Sequence, residues 1–135
     1  MILLDTCALL WIVGGDPIEP EATAEIEALW AQGHVPWVSP ISAWEVGLLS
    51  ARARISLTMP PERWWAAAVS RSGFEVAAIP PETLIASSFL PGAPPNDPAD
   101  RIIAATAREG GLRVMTRDAK LLAYAAAGHI DAIAC

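Results

Sequence analysis

An α/β fold built on a parallel sheet is what this chain of 135 residues predicts, and three features carry the prediction. The opening run Ile2-Leu3-Leu4 is continuously apolar, as suits a strand covered on both faces. Strand-like runs then alternate with segments of helical period along the chain. Two strands lead directly into an acid and a hydroxyl, at Asp5-Thr6 and at Thr116-Arg117-Asp118. Such pairs fall at the carboxyl edge of a sheet, where ligands gather in open α/β folds.

Taken in order, Cys7 to Val13 reads as a brief helix, with Asp5 also a natural N-cap, and Gly14-Gly15-Asp16-Pro17 breaks it. Pro20 opens a second helix with Ile26, Leu29 and Trp30 as its buried stripe. Glu21, Glu25 and Glu27 form its solvated face, and Gly33 closes it. Val35 to Val38 is the second strand, where Pro36 suits a strand start or an edge. Ser39-Pro40 supplies a cap and a first-turn proline for a helix whose expected stripe is Ile41, Trp44, Leu48 and Leu49. At about 100° per residue, Glu45 falls inside that stripe. A carboxylate there is costly unless paired or metal-bound, although Ser42-x-x-Glu45 is also the pattern of a capping box. Arg52 and Arg54 end this helix where its dipole favours cations.

Ile55 to Pro61 is a connector, and Pro61 to Arg71 a helix carrying Trp64 and Trp65. Adjacent residues cannot both face one core, so one of these tryptophans is expected at a subunit interface. Phe74 to Ile79 is the third strand, Glu82 to Phe89 a helix after Pro80-Pro81, and Pro91 to Asn96 a loop of chain breakers. Asp97-Pro98 caps and opens a helix that runs to Arg108 and stops at Gly110-Gly111. Asp100 shares a face with Ile103, Ala104 and Ala107, so it points inward. Leu112 to Met115 is the fourth strand, Ala119 to Ala127 the last helix with Asp118 as a possible cap and Gly128 as its stop, and Ile130 to Ala134 the fifth strand.

Helices packed antiparallel to their strands bring their N-termini to the carboxyl edge of the sheet. Asp5 and Asp118 follow strands, and Glu45 and Asp100 occupy early turns, so all four acids are expected at one edge. Four uncompensated carboxylates repel, and divalent cations resolve that. An oxygen-only donor set suits Mg2+ or Mn2+. Zinc is not expected, because His34 and His129 fall elsewhere and Cys7 and Cys135 have no metal-ligand spacing. Such a site points to phosphoryl chemistry, with Thr6 and Thr116 orienting the carboxylates.

The bulk numbers bound the reading. At 53% hydrophobic and 18% charged, the chain is too apolar for disorder and apolar enough to offer surface to a partner. No apolar run approaches the roughly 18 residues of a membrane span, and no basic segment precedes the first strand as in a signal peptide. Two isolated thiols suit a reducing cytoplasm. The net charge of −6 argues against a nucleic-acid partner unless several acids hold metal, and nine Lys and Arg confine any such contact to a local patch.

Taken together, Ile-Leu-Leu-Asp5-Thr6-Cys-Ala-Leu-Leu-Trp11, Ser42-Ala-Trp44-Glu45, Asp97-Pro98-Ala-Asp100-Arg101 and Thr116-Arg-Asp118 resemble a PIN domain over essentially the whole chain, most of all the VapC-type toxins of bacterial toxin–antitoxin pairs. The resemblance implies a single three-layer domain, 1–135, with a central parallel sheet of four or five strands flanked by helices. It implies Mg2+- or Mn2+-dependent cleavage of RNA, a homodimer, a cytoplasmic location and inhibition by a cognate antitoxin. By position Asp5, Glu45, Asp100 and Asp118 are the acidic quartet, with Asp5, Asp100 and Asp118 as metal ligands and Ser42 and Thr116 as the small polar residues beside them. Asn96 stands where many such toxins have a histidine, and is expected to tune the substrate. Aspartyl-phosphate phosphatases open similarly but need a second Asp where Cys7 stands, and no Walker-type phosphate loop is present. Two alternatives stay open: a non-catalytic acidic groove for a basic peptide, and a PIN nuclease of RNA processing without an antitoxin. A compact chain with no appended domain favours the toxin.

Overall fold

Strand β1 (Ile2–Leu4) lies in the middle of the sheet, and its three side chains are buried on alternating faces. The computed structural model describes residues 1–71 and 73–135. Ile2 and Leu4 join a cluster with Leu9, Ile26, Val46, Trp64 and Met115, whereas Leu3 joins Ile103, Ala107 and Val114 on the other side. Two apolar layers on one sheet explain why the run could be apolar at every position.

The sheet is completed by β2 (Trp37–Val38), β3 (Glu75–Val76), β4 (Arg113–Thr116) and β5 (Asp131–Ala134). All pairings are parallel, in the order β3-β2-β1-β4-β5. The chain steps outward from β1 to β2 and β3, then returns to the other side of β1 for β4 and β5. The boundary between β1 and β4 is therefore the switch point of the topology, and a crevice opens at its carboxyl edge.

Helices α1 (Thr6–Gly14), α2 (Pro20–Ala31), α3 (Pro40–Ala51), α4 (Pro61–Arg71), α5 (Pro81–Ala86), α6 (Pro98–Gly110) and α7 (Ala119–Ala126) fill the connections. Their starts are chemically marked. Asp5, Ser39, Asp97 and Asp118 each accept a backbone N–H of the first turn, and Pro20, Pro40, Pro81 and Pro98 stand in first turns where no donor is lost. Gly15 and Gly111 end α1 and α6 with φ of 73° and 61°, a conformation that suits glycine.

Several expectations need correction. The second and third strands are only two residues long, because Pro36 has no N–H for a ladder and Pro80-Pro81 ends the edge. Helix α5 stops at Ala86 rather than Phe89, since Ser88 and Phe89 donate three residues back and tighten the chain into a turn. Thr116 belongs to β4 itself, where its carbonyl accepts Cys135 N at 3.1 Å. Trp44 is 56% exposed, so the buried side of α3 is not the expected stripe but the face of Ser42 and Val46. Glu45 still lies at the rim of that face. Trp64 is buried in the first cluster and Trp65, partly buried, packs against it, as do Ile55, Leu57 and Met59 of the connector. No helix among the described residues is long and apolar enough to cross a membrane.

Candidate active site

Asp5 leaves β1 at the switch point and is 5% exposed. Its two carboxylate oxygens have separate duties. Oδ1 accepts the backbone N–H of Ala8 at 2.7 Å and so caps α1, while Oδ2 accepts the hydroxyl of Thr116 from the neighbouring β4. The same Thr116 oxygen accepts the N–H of Asp118 at 3.0 Å. One buried hydroxyl thus joins the acids that follow β1 and β4. Asp118 uses Oδ1 to cap α7 through Lys120 N at 2.8 Å and Leu121 N at 3.0 Å, and its Oδ2 has no hydrogen-bond partner among the described residues.

On the other flank, Thr6 Oγ1 donates to Glu45 Oε1 at 2.5 Å and lies 2.9 Å from Ser42 Oγ. This ties the start of α1 to the inner face of α3. Asp97 caps α6 through Ala99 N at 2.8 Å and Asp100 N at 3.3 Å. The Asp100 side chain has no hydrogen-bond partner among the described residues. Thr116 joins Asp5 to Asp118 and Thr6 joins Glu45 to Ser42, while Asp5, Asp97 and Asp118 cap α1, α6 and α7, and Asp100 stands in the first turn of α6.

Their electrostatics show how close they stand. Burial, then the charges of Asp97, Asp118, Glu45 and Asp5, pushes the Asp100 carboxyl up to about 7. Burial raises Glu45 as well; the Thr6 hydrogen bond opposes it, and Asp97 and Asp5 add to it. Asp5 is raised by burial, against the bonds from Thr116 and Ala8. Among the described residues no cation forms an ion pair with them. The ion pairs among the described residues join Arg113 to Glu25 at 2.6 Å and to Asp131 at 3.4 Å. Arg117, between Thr116 and Asp118, turns away: its guanidinium lies 3.8 Å from the Trp11 ring centre and its Nε donates to Cys135 O at 2.6 Å.

Two participants escaped the sequence reading. Asp97, read there only as a cap, is also the largest charge acting on both Asp100 and Glu45; its place three residues before Asp100 was the available signal. Cys7 lies on the exposed surface, yet its thiol is pushed up to about 11 by burial and then by Asp5, Glu45, Asp100 and Asp118. It stands in the field of all four acids, and nothing in its spacing pointed there.

The donor chemistry fits a hard divalent ion: carboxylate oxygens, three of them (Asp5, Glu45 and Asp100) on groups held above their ordinary range, and no ion pair to an organic cation among the described residues. No three acidic, histidine or cysteine side chains there converge as a ready-formed cage. Mg2+ does not require a closed protein cage, since it retains several waters among its ligands.

A sheet of this order, with acids from four elements at its switch point, defines an α/β protein with a negatively charged crevice. Residues 2–127 match the PIN domain model, and the chain belongs to that family. It is 34% identical over 87 residues to ribonuclease VapC22 of Mycobacterium tuberculosis, a match over 64% of this chain and 65% of that protein. The chain thus matches just under two thirds of that relative's length. Among solved structures, it superposes on a chain of VapBC2 from Rickettsia felis bound to a promoter DNA fragment, with a TM-score of 0.68 at 15% identity over 99% of this chain and 98% of the other. DNA-bound VapBC from Salmonella typhimurium gives a TM-score of 0.68 at 21% identity, over 98% and 96%. These two likenesses concern the fold, which is the three-layer parallel α/β arrangement expected from the sequence.

Proposed function

We propose that this chain is a divalent-metal-dependent endoribonuclease, the toxin of a toxin–antitoxin pair, which hydrolyses RNA phosphodiester bonds through Asp5, Glu45, Asp100 and Asp118. The observation that carries the reading is the gathering of these carboxylates, none with a salt bridge among the described residues, at the crevice between β1 and β4. The name of the 34% identical relative, a ribonuclease, supports the same chemistry.

Asp5, Asp100 and Asp118 would hold Mg2+ or Mn2+, which when bound supplies Lewis-acid stabilisation of the charge that builds on phosphoryl oxygens. Thr116 fixes the orientation of Asp5, and its contact with the Asp118 N–H keeps both acids in register. Glu45 keeps Oε2 free of the Thr6 bond, and its raised pKa makes it the stronger base for accepting the proton of the attacking water. Thr6 and Ser42 hold that carboxylate in place.

The chain acts as a homodimer in the cytoplasm. Trp44 on α3, together with Leu84, Ile85 and Phe89 on and after α5, leaves apolar surface exposed that a second copy would cover. A cognate antitoxin closes the crevice with a segment carrying Arg or Lys, which offsets the unpaired acids. Excess antitoxin that left cleavage unchanged would refute this part.

The test is cleavage of total cellular RNA by purified, antitoxin-free protein with Mg2+, Mn2+ or a chelator. Discrete fragments that require metal and disappear in Asp5→Asn and Asp100→Asn are the expected result. A folded preparation that cleaves nothing under any metal would overturn the nuclease and favour a groove that only binds a basic peptide.

A further inference from the structure

Beside the acidic crevice, the Ala93–Asn96 loop and the outer face of α7 enclose a cavity of about 320 Å3 lined by Pro94, Pro95, Asn96, Lys120, Ala123 and Tyr124 among others. That is the small end of the range for ligand pockets. Its walls are apolar, and its polar groups are of two kinds. Asn96 offers an amide with both donors and an acceptor. Lys120, the chain's only lysine, offers an ammonium with no ion pair among the described residues.

Both polar groups are anchored to the acids. Asn96 immediately precedes Asp97, the cap of α6, and Lys120 donates its backbone N–H to Asp118 at 2.8 Å. The loop and the helix that line the cavity therefore each adjoin, along the chain, an acid of the crevice. It is also built in advance. The Tyr124 hydroxyl donates to Pro91 O at 2.6 Å, and the Tyr124 ring stacks on His129 with centroids 4.8 Å apart. Gly92 lets the loop lie against that pair: a Cβ there would meet His129 Nε2 at 2.2 Å, and its φ of +69° is unfavourable for other residues. The loop is thus pinned to α7 at one end and to the start of α6 at the other.

We propose that this cavity is a nucleotide subsite for single-stranded RNA, seating the nucleotide next to the cleaved bond, with Lys120 on its phosphate and Asn96 on the edge of its base. The proposal rests on the nuclease reading above. An apolar slot with one amide suits a base, whose flat faces shed water while its edge seeks hydrogen bonds. The Lys120 ammonium, on a helix capped by Asp118, suits a phosphate, and it gives a net-negative chain a local attachment point for RNA.

The experiment is equilibrium binding of short fluorescent single-stranded RNAs, each varied at one base, with Ca2+ in place of Mg2+ to suppress turnover. Lys120→Ala is expected to weaken binding roughly fivefold to tenfold and to reduce the slope of log K against log salt by about 0.7, the value for one phosphate contact on a single strand. Lys120→Arg should retain most of the affinity. Asn96→Ala should flatten the base preference at one position and leave the others alone. Gly92→Ala, which lifts the loop, should reproduce the Asn96 effect without touching that side chain. Variants that bind like the wild-type chain, or a wild-type chain that binds none of these RNAs, would overturn the subsite. Loss of antitoxin binding alone in these variants would assign the cavity to that protein and overturn it equally. Cleavage is read separately in Mg2+: selective binding without cleavage sinks the nuclease and leaves the subsite, whereas cleavage untouched by the variants does the reverse.

Discussion

Asp100 carries the strongest electrostatic burden of the acids at the crevice. Its carboxyl stands at about 7 against an ordinary 3.8, so the folded chain binds that proton more tightly than the unfolded chain does. Between those two values the folded state holds more protons, and stability falls as pH rises from about 4 to about 7. The raised Asp5 and Glu45 act with the same sign. Metal-free protein should therefore melt at lower temperature at neutral pH than near pH 5. Asp100→Asn should flatten that dependence and stabilise the metal-free chain at neutral pH by on the order of 1–2 kcal/mol, allowing for screening of a partly exposed group. A less stable Asn variant at neutral pH would contradict the assignment. Thr116 permits a second check. Thr116→Val removes the donor to Asp5 and the acceptor for Asp118, and should lower kcat roughly tenfold to a hundredfold, while Thr116→Ser restores it. The positions of Asp5, Asp100 and Asp118 were legible in the sequence because each follows a strand or opens a helix. The hydroxyl that joins two of them was legible only as a neighbour, since its bonds span 111 residues in one direction and two in the other.

At the scale of elements, each helix that bears on the crevice begins with a side-chain cap, and at α6 the cap also sets the charge. Asp97 is well suited to separating these roles. Asp97→Ala should destabilise the fold by about 0.5–2 kcal/mol in denaturant titration through loss of the cap. Asp97→Asn keeps a capping oxygen, so it should cost little stability yet lower the titration midpoint of Asp100 in a carboxyl-detected NMR experiment. An unchanged midpoint would mean that Asp97 does not act on its neighbour. Helix starts were readable because a cap is a local bond between residues two or three apart. The facing of α3 was not, because Ile41, Trp44 and Leu48 make an apolar stripe whether or not a core lies beneath it. The structure buries Ser42 and Val46 and turns Trp44 outward. The short outer strands were overread for a related reason: an apolar run fixes where a chain is buried, and ladder bonds depend on a neighbour's length.

Across the whole molecule, the order of the strands does what no single motif could. Parallel pairing with reversal at β1 and β4 draws residues 5, 45, 100 and 118 to one edge, though they are scattered along the chain. The exposed apolar surface has a separate consequence. Ile85 and Phe89 are 63% and 81% exposed, and replacing both with Asp should convert a dimer to a monomer in sedimentation velocity. A wild-type chain that sediments as a monomer at micromolar concentration would contradict the dimer. The account as a whole turns on the acids forming one metal centre, and calorimetric titration with Mn2+ at several pH values tests that most directly. The wild-type chain should bind the ion and release protons as it does so, more near pH 6 than near pH 8, because the ion displaces the proton from Asp100. Asp5→Asn and Asp100→Asn should each weaken binding by roughly tenfold or more, and Asp100→Asn should abolish most of the proton release. Equal Mn2+ affinity in the wild-type chain and both variants would show that these carboxylates do not act as one site.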